Sequence, residues 1–304
     1  MISRYTYKDL VWVDMESPSN EEVRQIMEEF SLSPLIGNEL LSPSVRSKVD
    51  MYEDFIYLIL HFPTISHKHG KHDEQEVDFV IGKKFIITTH YEVIDPLHEF
   101  SKVFEVNSIL DKSTMGLHGG FVFFYIMREL YQSLTHELDH IDDRLEVAEG
   151  KIFSGEESSM VENLSHIHRD LLNFKQAVRY HRDVLDSFEL AGRRMFGQEF
   201  DYYMRAILGE YQKVASMLEN HRETLIELRE TNSSLLTTKT NEIMKTLTLM
   251  AFSTLPLSLV AALFGMNTQV TPIVDTPNGF WVILGIMVIL GISMYFYFRR
   301  KQWF

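Results

Sequence analysis

The sequence predicts a membrane protein: an N-terminal cytoplasmic α/β (α+β) domain, a long helical hairpin, and a very long stalk helix that continues into the first of two C-terminal transmembrane helices. Three observations carry this expectation. Residues 246 to 298 contain one charged residue, Asp275, whereas the other 42 acids all precede them. The first 120 residues or so mix short apolar runs with turn signals. Beyond them, long segments without proline repeat apolar residues three or four apart, the spacing of a helix face.

The strands and helices of the first part follow from local pattern. LVWVD (10–14), DFIYLILHF (54–62) and VDFVIGKKFIITTH (77–90) read as strands, the last as a hairpin over Gly82-Lys83-Lys84. In SPSNEEVRQIMEEF (17–30), Ser and Asn precede Glu21 and Glu22, and Val23, Ile26, Met27 and Phe30 share one helical face. His118-Gly119-Gly120 punctuates the chain. Phe121 to Ala148 and Glu157 to Leu190 then predict two long antiparallel helices, with turns at Gly150–Gly155 and Ala191–Gly197. Gln198 to Leu255 has no proline and only Gly209 as glycine, so about 58 residues run as one helix of about 85 Å into the membrane. Asn220, Arg222, Asn232 and Ser233 interrupt its apolar stripe, which points to support from neighbouring helices in an oligomer.

Leu247–Met266 and Phe280–Phe298 are uncharged stretches of 20 and 19 residues, each about long enough to cross ~30 Å of hydrocarbon. Lys239 and Lys245 precede the first, Arg299, Arg300 and Lys301 follow the second, and the 13 residues between carry no Lys or Arg. Both termini are therefore expected in the cytoplasm, with Trp281 and Trp303 at the interfaces. No signal-peptide pattern opens the chain. The expected divisions are 1–120 for the α/β domain, 121–197 for the hairpin, 198–246 for the stalk, 247–266 and 280–298 for the spans, 267–279 for an extracytoplasmic loop and 299–304 for a basic tail.

Composition excludes several function classes. With 304 residues, 45% apolar and 24% charged, the chain can bury a core. A net charge of -14 argues against nucleic acid and makes divalent cations the more natural partners. Without cysteine there is no thiolate metal site or Cys nucleophile. No phosphate-cradling loop, nucleophile elbow or zincin helix is present, so the expectation is a protein that is not an enzyme.

The first span ends in Leu263-Phe264-Gly265-Met266-Asn267. Asn241-Glu242-Ile243-Met244-Lys245 precedes it, Pro256 lies inside it, and a short loop, a second span and the tail Arg299-Arg300-Lys301-Gln302-Trp303-Phe304 follow. In that order these features resemble the CorA family of divalent-cation transporters, whose signature is Gly-Met-Asn after an aromatic residue at the end of the first of two C-terminal spans. The resemblance implies a funnel-shaped homopentamer in the cell (inner) membrane, with the first span lining a central pore and the second forming an outer ring. It also implies Mg²⁺ as cargo and as a regulatory ligand at acidic subunit interfaces, with Co²⁺, Ni²⁺ or Zn²⁺ as further possible cargoes.

Helical spacing places Asn241, Met244, Leu247, Ala251, Leu255, Ser258 and Ala262 on one face leading to Asn267. From periodicity alone this is equally a packing stripe; the resemblance favours pore lining. Mg²⁺ holds its water tightly, so recognition of a hydrated ion suits a ring made by the Asn267 carboxamide and the backbone carbonyls near Gly265 and Met266. Met244 and Leu247 are candidates for a hydrophobic constriction. Two departures stand out. Thr271-Pro272-Ile273-Val274 replaces the family's Met-Pro-Glu-Leu, leaving Asp275 as the only loop acid. Ala206 stands where a regulatory carboxylate is expected, with Asp201 and Glu210 the nearest acids, so the feedback site is unassigned.

His67, His69 and His72 have spacings compatible with a transition metal, although a polar loop explains them as well. His136 and His140, four apart beside Glu137, Asp139 and Asp143, fit a ligand pair or a solvated helix face. The alternatives to a Mg²⁺ transporter are a proton-coupled Zn²⁺ carrier of the same superfamily and a membrane-anchored scaffold or sensor that conducts nothing.

Overall fold

A computed structural model describes residues 1–44, 46–63, 74–110, 118–266 and 278–301. The chain divides into two compact units, Met1–Arg229 and Glu230–Phe304. In the first, β1 (Ile2–Tyr7), β2 (Leu10–Glu16), β3 (Lys48–Met51), β4 (Phe55–Pro63), β5 (Glu74–Gly82) and β6 (Phe85–His90) form one sheet in the order β1-β2-β6-β5-β4-β3. β2 and β6 run parallel, Val13 opposite Ile87, and the other neighbours are antiparallel. The expected hairpin over Gly82-Lys83-Lys84 is the β5–β6 pair.

Both faces of this sheet are covered. On one, Val13, Met15, Tyr57, Ile59, Val80 and Ile87 pack with Val23, Ile26, Ile36 and Leu40 of α1 (Asn20–Phe30) and α2 (Pro34–Glu39) and the turn after it. α1 starts as its sequence predicts: Glu22 N–H donates to the Ser19 hydroxyl and Ser19 N–H to the Glu22 carboxylate, at 3.3 and 2.8 Å. On the other face, Trp12 meets Phe100 and Phe104 of α3 (Asp95–Leu110), and Phe79 meets Phe123 of α4 (Gly119–Phe153), with ring centroids 5.1 to 5.6 Å apart. Burial on two sides explains why β4 and β5 read as nearly continuous apolar runs.

After α4 come α5 (Glu157–Ala177), a 3-10 turn over Val178–Tyr180, and α6 (His181–Phe196). α7 runs Asp201–Phe264 and α8 Gly279–Arg300. Leu138, Ile141 and Leu145 of α4, Leu164, Ile167 and Leu171 of α5, and Val214, Leu218 and Leu225 of α7 are all buried. Polar contacts link these helices: ion pairs of Arg144 with Asp170 at 2.6 Å and Lys175 with Glu219 at 3.9 Å, and His221 Nδ1 3.3 Å from the Asp142 carboxylate.

Several expected boundaries move, for identifiable reasons. Gly119 and Gly120 belong to the first turn of α4 rather than to a break before it. A Cβ at Gly119 would stand 2.3 Å from the Phe85 carbonyl oxygen and 2.5 Å from that of Gly82, so glycine lets the helix start against the β5–β6 turn. Gly150 stays helical, and the turn falls at Gly155, whose φ of 100° is left-handed. The expected helix from Glu157 to Leu190 is broken at Val178–Tyr180, where Val178 and His181 turn inward and are buried. Ala191 continues α6, which stops at Gly197 with φ 93°. Strands β1 and β3 and helices α2 and α3 were not legible, because β1 and β3 are edge strands with mixed polarity and α2 is only six residues long.

Candidate functional site

The residues singled out by spacing are exposed in this chain, as is most of the segment around them. Asn241, Met244, Leu247, Ala251, Leu255, Ser258 and Ala262 are all exposed. The covered stripe of the same segment is Leu249, Ser253, Pro256, Leu257, Val260 and Phe264, buried or half-buried. Residues two apart on a helix point about 200° from each other, so Leu247 and Leu249, or Ser258 and Val260, lie on opposite sides. One side packs on the protomer itself. The rest of the circumference is exposed: Met244, Leu247 and Leu255 at 57%, 56% and 66%, and equally Ile243, Met250, Phe252, Leu259 and Leu263, so exposure does not set the predicted stripe apart from its neighbours.

The hydroxyls along this segment have a common arrangement. Thr246, Thr248, Ser253, Thr254 and Ser258 each donate to the carbonyl four residues earlier, at 2.7 to 3.0 Å. This satisfies the donor without water, as an apolar environment demands. It leaves lone pairs outward, so Ser258 presents an acceptor on the exposed face. Pro256 supplies no N–H, which leaves the Phe252 carbonyl without its usual helical donor.

At the end of α7, Gly265 N–H closes the last turn onto the Ala261 carbonyl at 2.9 Å. A Cβ at Gly265 would stand 2.9 Å from that same oxygen. Gly265 and Met266 are exposed. Asn267 and Asp275 lie outside the described residues, as do His67, His69, His72 and Trp303. Trp281 opens α8 exposed at 69%.

The acids considered for regulation are placed differently from one another. Asp201 receives Arg193 Nε at 2.9 and 3.1 Å and also pairs with an Arg193 terminal nitrogen, joining the end of α6 to the start of α7. Hydrogen bonding from Arg193 lowers its pKa from the usual carboxylate value. Glu210 is half-buried on α7. Among the described residues no three His, Asp or Glu side chains form a metal-holding group. The His136 and His140 rings do meet, centroids 4.5 Å apart, on one face of α4.

Sequence reasoning missed a buried polar group on the α2 face of the sheet. Asp78 is fully buried and Glu76 5% exposed, beside Tyr57 and His61 of β4. The signal was present in Asp78 itself, an acid set inside the apolar run from Val77 to Ile81. Sequence reasoning also missed His181, fully buried, with Nδ1 2.8 Å from the Tyr131 hydroxyl and Nε2 2.7 Å from the His61 carbonyl. Burial lowers its pKa to about 4.

Comparison with known proteins places these features in a family. The model of the CorA-like Mg²⁺ transporter protein family matches residues 7–300. The chain is 24% identical over 300 residues to the cobalt/magnesium transport protein CorA of Thermotoga maritima, covering 96% of this chain and 83% of that one. It is 26% identical over 307 residues to the putative metal ion transporter YfjQ of Bacillus subtilis, covering 100% and 93%. The complete structure of the CorA magnesium transporter from Methanocaldococcus jannaschii superposes with a TM-score of 0.83 at 22% identity, covering 97% of this chain and 92% of that one.

Proposed function

The chain belongs to the CorA-like Mg²⁺ transporter family, and from that premise we propose that it carries divalent cations across a membrane, Mg²⁺ first, as a channel or transporter rather than an enzyme. The observation that carries the reading is the family match over residues 7–300, and it is supported by a helix, α7, whose apolar C-terminal part is largely exposed and ends at Gly265 and Met266. An apolar helix face left open along a membrane span, with a hydroxyl acceptor at Ser258, suits a water-filled path shared by several copies.

A closed ring of copies is what such a face requires, and the family makes a homopentamer the natural assembly. The first span then lines the pore and the second lies outside it, in the lipid bilayer. Both termini face the cytoplasm, because the flanking Lys and Arg residues lie there and none lies between the spans. In a bacterial cell this is the inner membrane.

Mg²⁺ enters with its first water shell. Its water hydrogens point outward, so the ring that meets it must accept hydrogen bonds. The Asn267 carboxamide, with backbone carbonyls near Gly265 and Met266, supplies acceptors without a net charge that would hold the ion too long. Along the path, Ser258 has already spent its hydroxyl hydrogen on Thr254 and can only accept. Met244 and Leu247 form the narrow apolar stretch near the cytoplasmic end, closed by dewetting when the helices approach. Asp275, the one loop acid, concentrates cations outside.

Mg²⁺ and Co²⁺ rank ahead of Zn²⁺ because the relative from Thermotoga maritima is named for cobalt and magnesium. The test is flux into proteoliposomes holding a metal-sensitive dye, for Mg²⁺, Co²⁺, Ni²⁺ and Zn²⁺, with and without a proton gradient. Mg²⁺ enters without the gradient, and Asn267→Ala abolishes the flux. Zn²⁺ movement that needs protons would overturn the cargo. Wild-type flux through Asn267→Ala would overturn the filter.

A further inference from the structure

Glu76 and Asp78 project from the same face of β5, opposite His61 and Ile59 of β4. Two residues apart on a strand is about 7 Å, within reach for two carboxyl side chains. Each has one well-made hydrogen bond. Tyr57 O–H donates to Asp78 Oδ2 at 3.0 Å, and Ser44 N–H donates to Glu76 Oε2 at 2.6 Å. The remaining oxygens, Glu76 Oε1 and Asp78 Oδ1, are both buried, and no donor among the described residues reaches either. Two ionised carboxylates can only accept, so the two orphaned acceptors cannot satisfy each other. Nor can two like charges share a dry site at low cost.

One proton resolves both problems. Placed on Asp78 Oδ1 and donated to Glu76 Oε1, it gives every oxygen of the pair a partner and leaves a single charge. That charge sits on Glu76, where Ser44 N–H and His61 Nε2, 3.3 Å away, face it. We propose that Glu76 and Asp78 form a one-proton carboxyl pair, a proton-binding site in the N-terminal unit, whose occupancy sets how firmly the chain at Ser44 is held against the sheet. The clamp is two-sided: Glu76 accepts from the Ser44 N–H, and His61 Nε2 lies 2.9 Å from the Ser44 carbonyl oxygen.

The surroundings favour protonation. Burial first, and then Glu76, push the Asp78 carboxyl well above its usual range. Tyr57 faces it from β4, and Glu39 adds negative charge from α2. Lys48 of β3 is the nearby cation, and it is divided between Glu39 and Asp50 at 2.8 and 2.9 Å. Tyr91 gives its hydroxyl hydrogen to the Glu39 carbonyl, and Asp78 and Glu76 help burial raise its pKa. His61 keeps a raised pKa: burial opposes its charged form, and Glu76 and the Ser44 carbonyl outweigh burial. Glu76, though not Asp78, lines a cleft of about 290 Å³ with Ser44, His61, Glu74, Tyr91 and Glu92, which gives the proton a route to solvent from the Glu76 side.

The sign follows from linkage. The folded chain holds a proton that the unfolded chain has lost once the pH exceeds about 4. The pair's contribution therefore falls as pH rises through the folded pKa of Asp78. His61 changes in the same direction, losing its charge as pH rises through its own raised value. Loss of the Asp78 proton sets two carboxylates against each other and loosens Glu76 from Ser44.

The test uses the full chain in detergent. At neutral pH the infrared spectrum of the wild type shows a protonated-carboxyl C=O band that Asp78→Asn lacks. Exchange of the Ser44 amide, read by mass spectrometry, accelerates over the pH range in which that band is lost by at least tenfold more than the intrinsic pH dependence. Asp78→Asn removes this extra acceleration, and Glu74→Gln, in the same cleft, keeps it. Should Asp78→Asn fail to fold, Glu76→Gln serves: without its charged neighbour the Asp78 band titrates at lower pH. An absent band, equal exchange profiles in wild type and Asp78→Asn, or an unshifted band in Glu76→Gln would each overturn the proposal. So would loss of the band on adding Mg²⁺ at constant pH, which would make the pair a metal site.

Discussion

Replacing Gly265 by alanine tests whether the end of α7 has room for any side chain. The last turn closes with Gly265 N–H on the Ala261 carbonyl at 2.9 Å, and the new Cβ would stand 2.9 Å from that same oxygen and 3.7 Å from the Ala262 oxygen. Carbon and carbonyl oxygen approach to about 3.3 Å at closest, so the turn must open by roughly 0.4 Å. Both the hydrogen bond and the methyl need one oxygen, and it belongs to the backbone and cannot swing away. Overpacking of this kind costs about 1 to 3 kcal/mol. If the conducting geometry bears that cost, each 1.4 kcal/mol is a factor of about ten, and Mg²⁺ flux falls by about fivefold to a hundredfold. The backbone at Gly265 is not left-handed, so room alone is at issue and Gly265→Ser fares no better. The assay is proteoliposome flux normalised to assembled protein. Gly209→Ala, which meets nothing within 4 Å, is the control and keeps its flux. Wild-type flux through Gly265→Ala, at equal assembly, would refute the reasoning.

Met244→Ser and Leu247→Ser make the proposed constriction wettable, so leak at high internal Mg²⁺ rises severalfold over wild type in the same vesicles; an unchanged leak removes these residues from the gate. Gly209→Ala raises stability by about 0.5 to 1 kcal/mol, because alanine suits an open helical position better than glycine, and the thermal midpoint rises accordingly. His181 is buried neutral with its pKa lowered to about 4. The unfolded chain therefore binds the extra proton between about pH 6.5 and 4, and the stability present above pH 6.5 declines through that window. The loss reaches about 3 kcal/mol, and His181→Gln flattens this part of the acid limb; parallel wild-type and variant profiles would show that His181 does not set it.

Much of the candidate site was legible because its signals are local. The uncharged runs at 247–266 and 280–298 required only the length of hydrocarbon to be covered. The face from Asn241 to Ala262 required only the pitch of a helix. What that pattern left open was whether the stripe packs inward. In the single chain Leu249, Ser253, Pro256, Val260 and Phe264 take the covered side, and the predicted stripe is exposed along with Ile243, Met250, Phe252, Leu259 and Leu263. The helical hairpin was legible in outline and misplaced at its ends. Glycine was read as a breaker at Gly119 and Gly150, whereas one is a close approach and the other a tolerated helical position.

By itself the sequence determined which two segments are long and apolar enough to cross a membrane, where α1 begins, and which residues share a helix face leading to Gly265. Capping, periodicity and hydrocarbon length act between residues within a few turns of each other. Only the tertiary structure decided that Asp78, Glu76 and Tyr57 meet, that His61 and Glu76 hold Ser44 from both sides, and that His181 joins Tyr131 to the His61 carbonyl 120 residues away. Those contacts arise where the sheet order brings β4 beside β5 and α6 against β4. A buried polar group reveals its partners only after the backbone has excluded water from it.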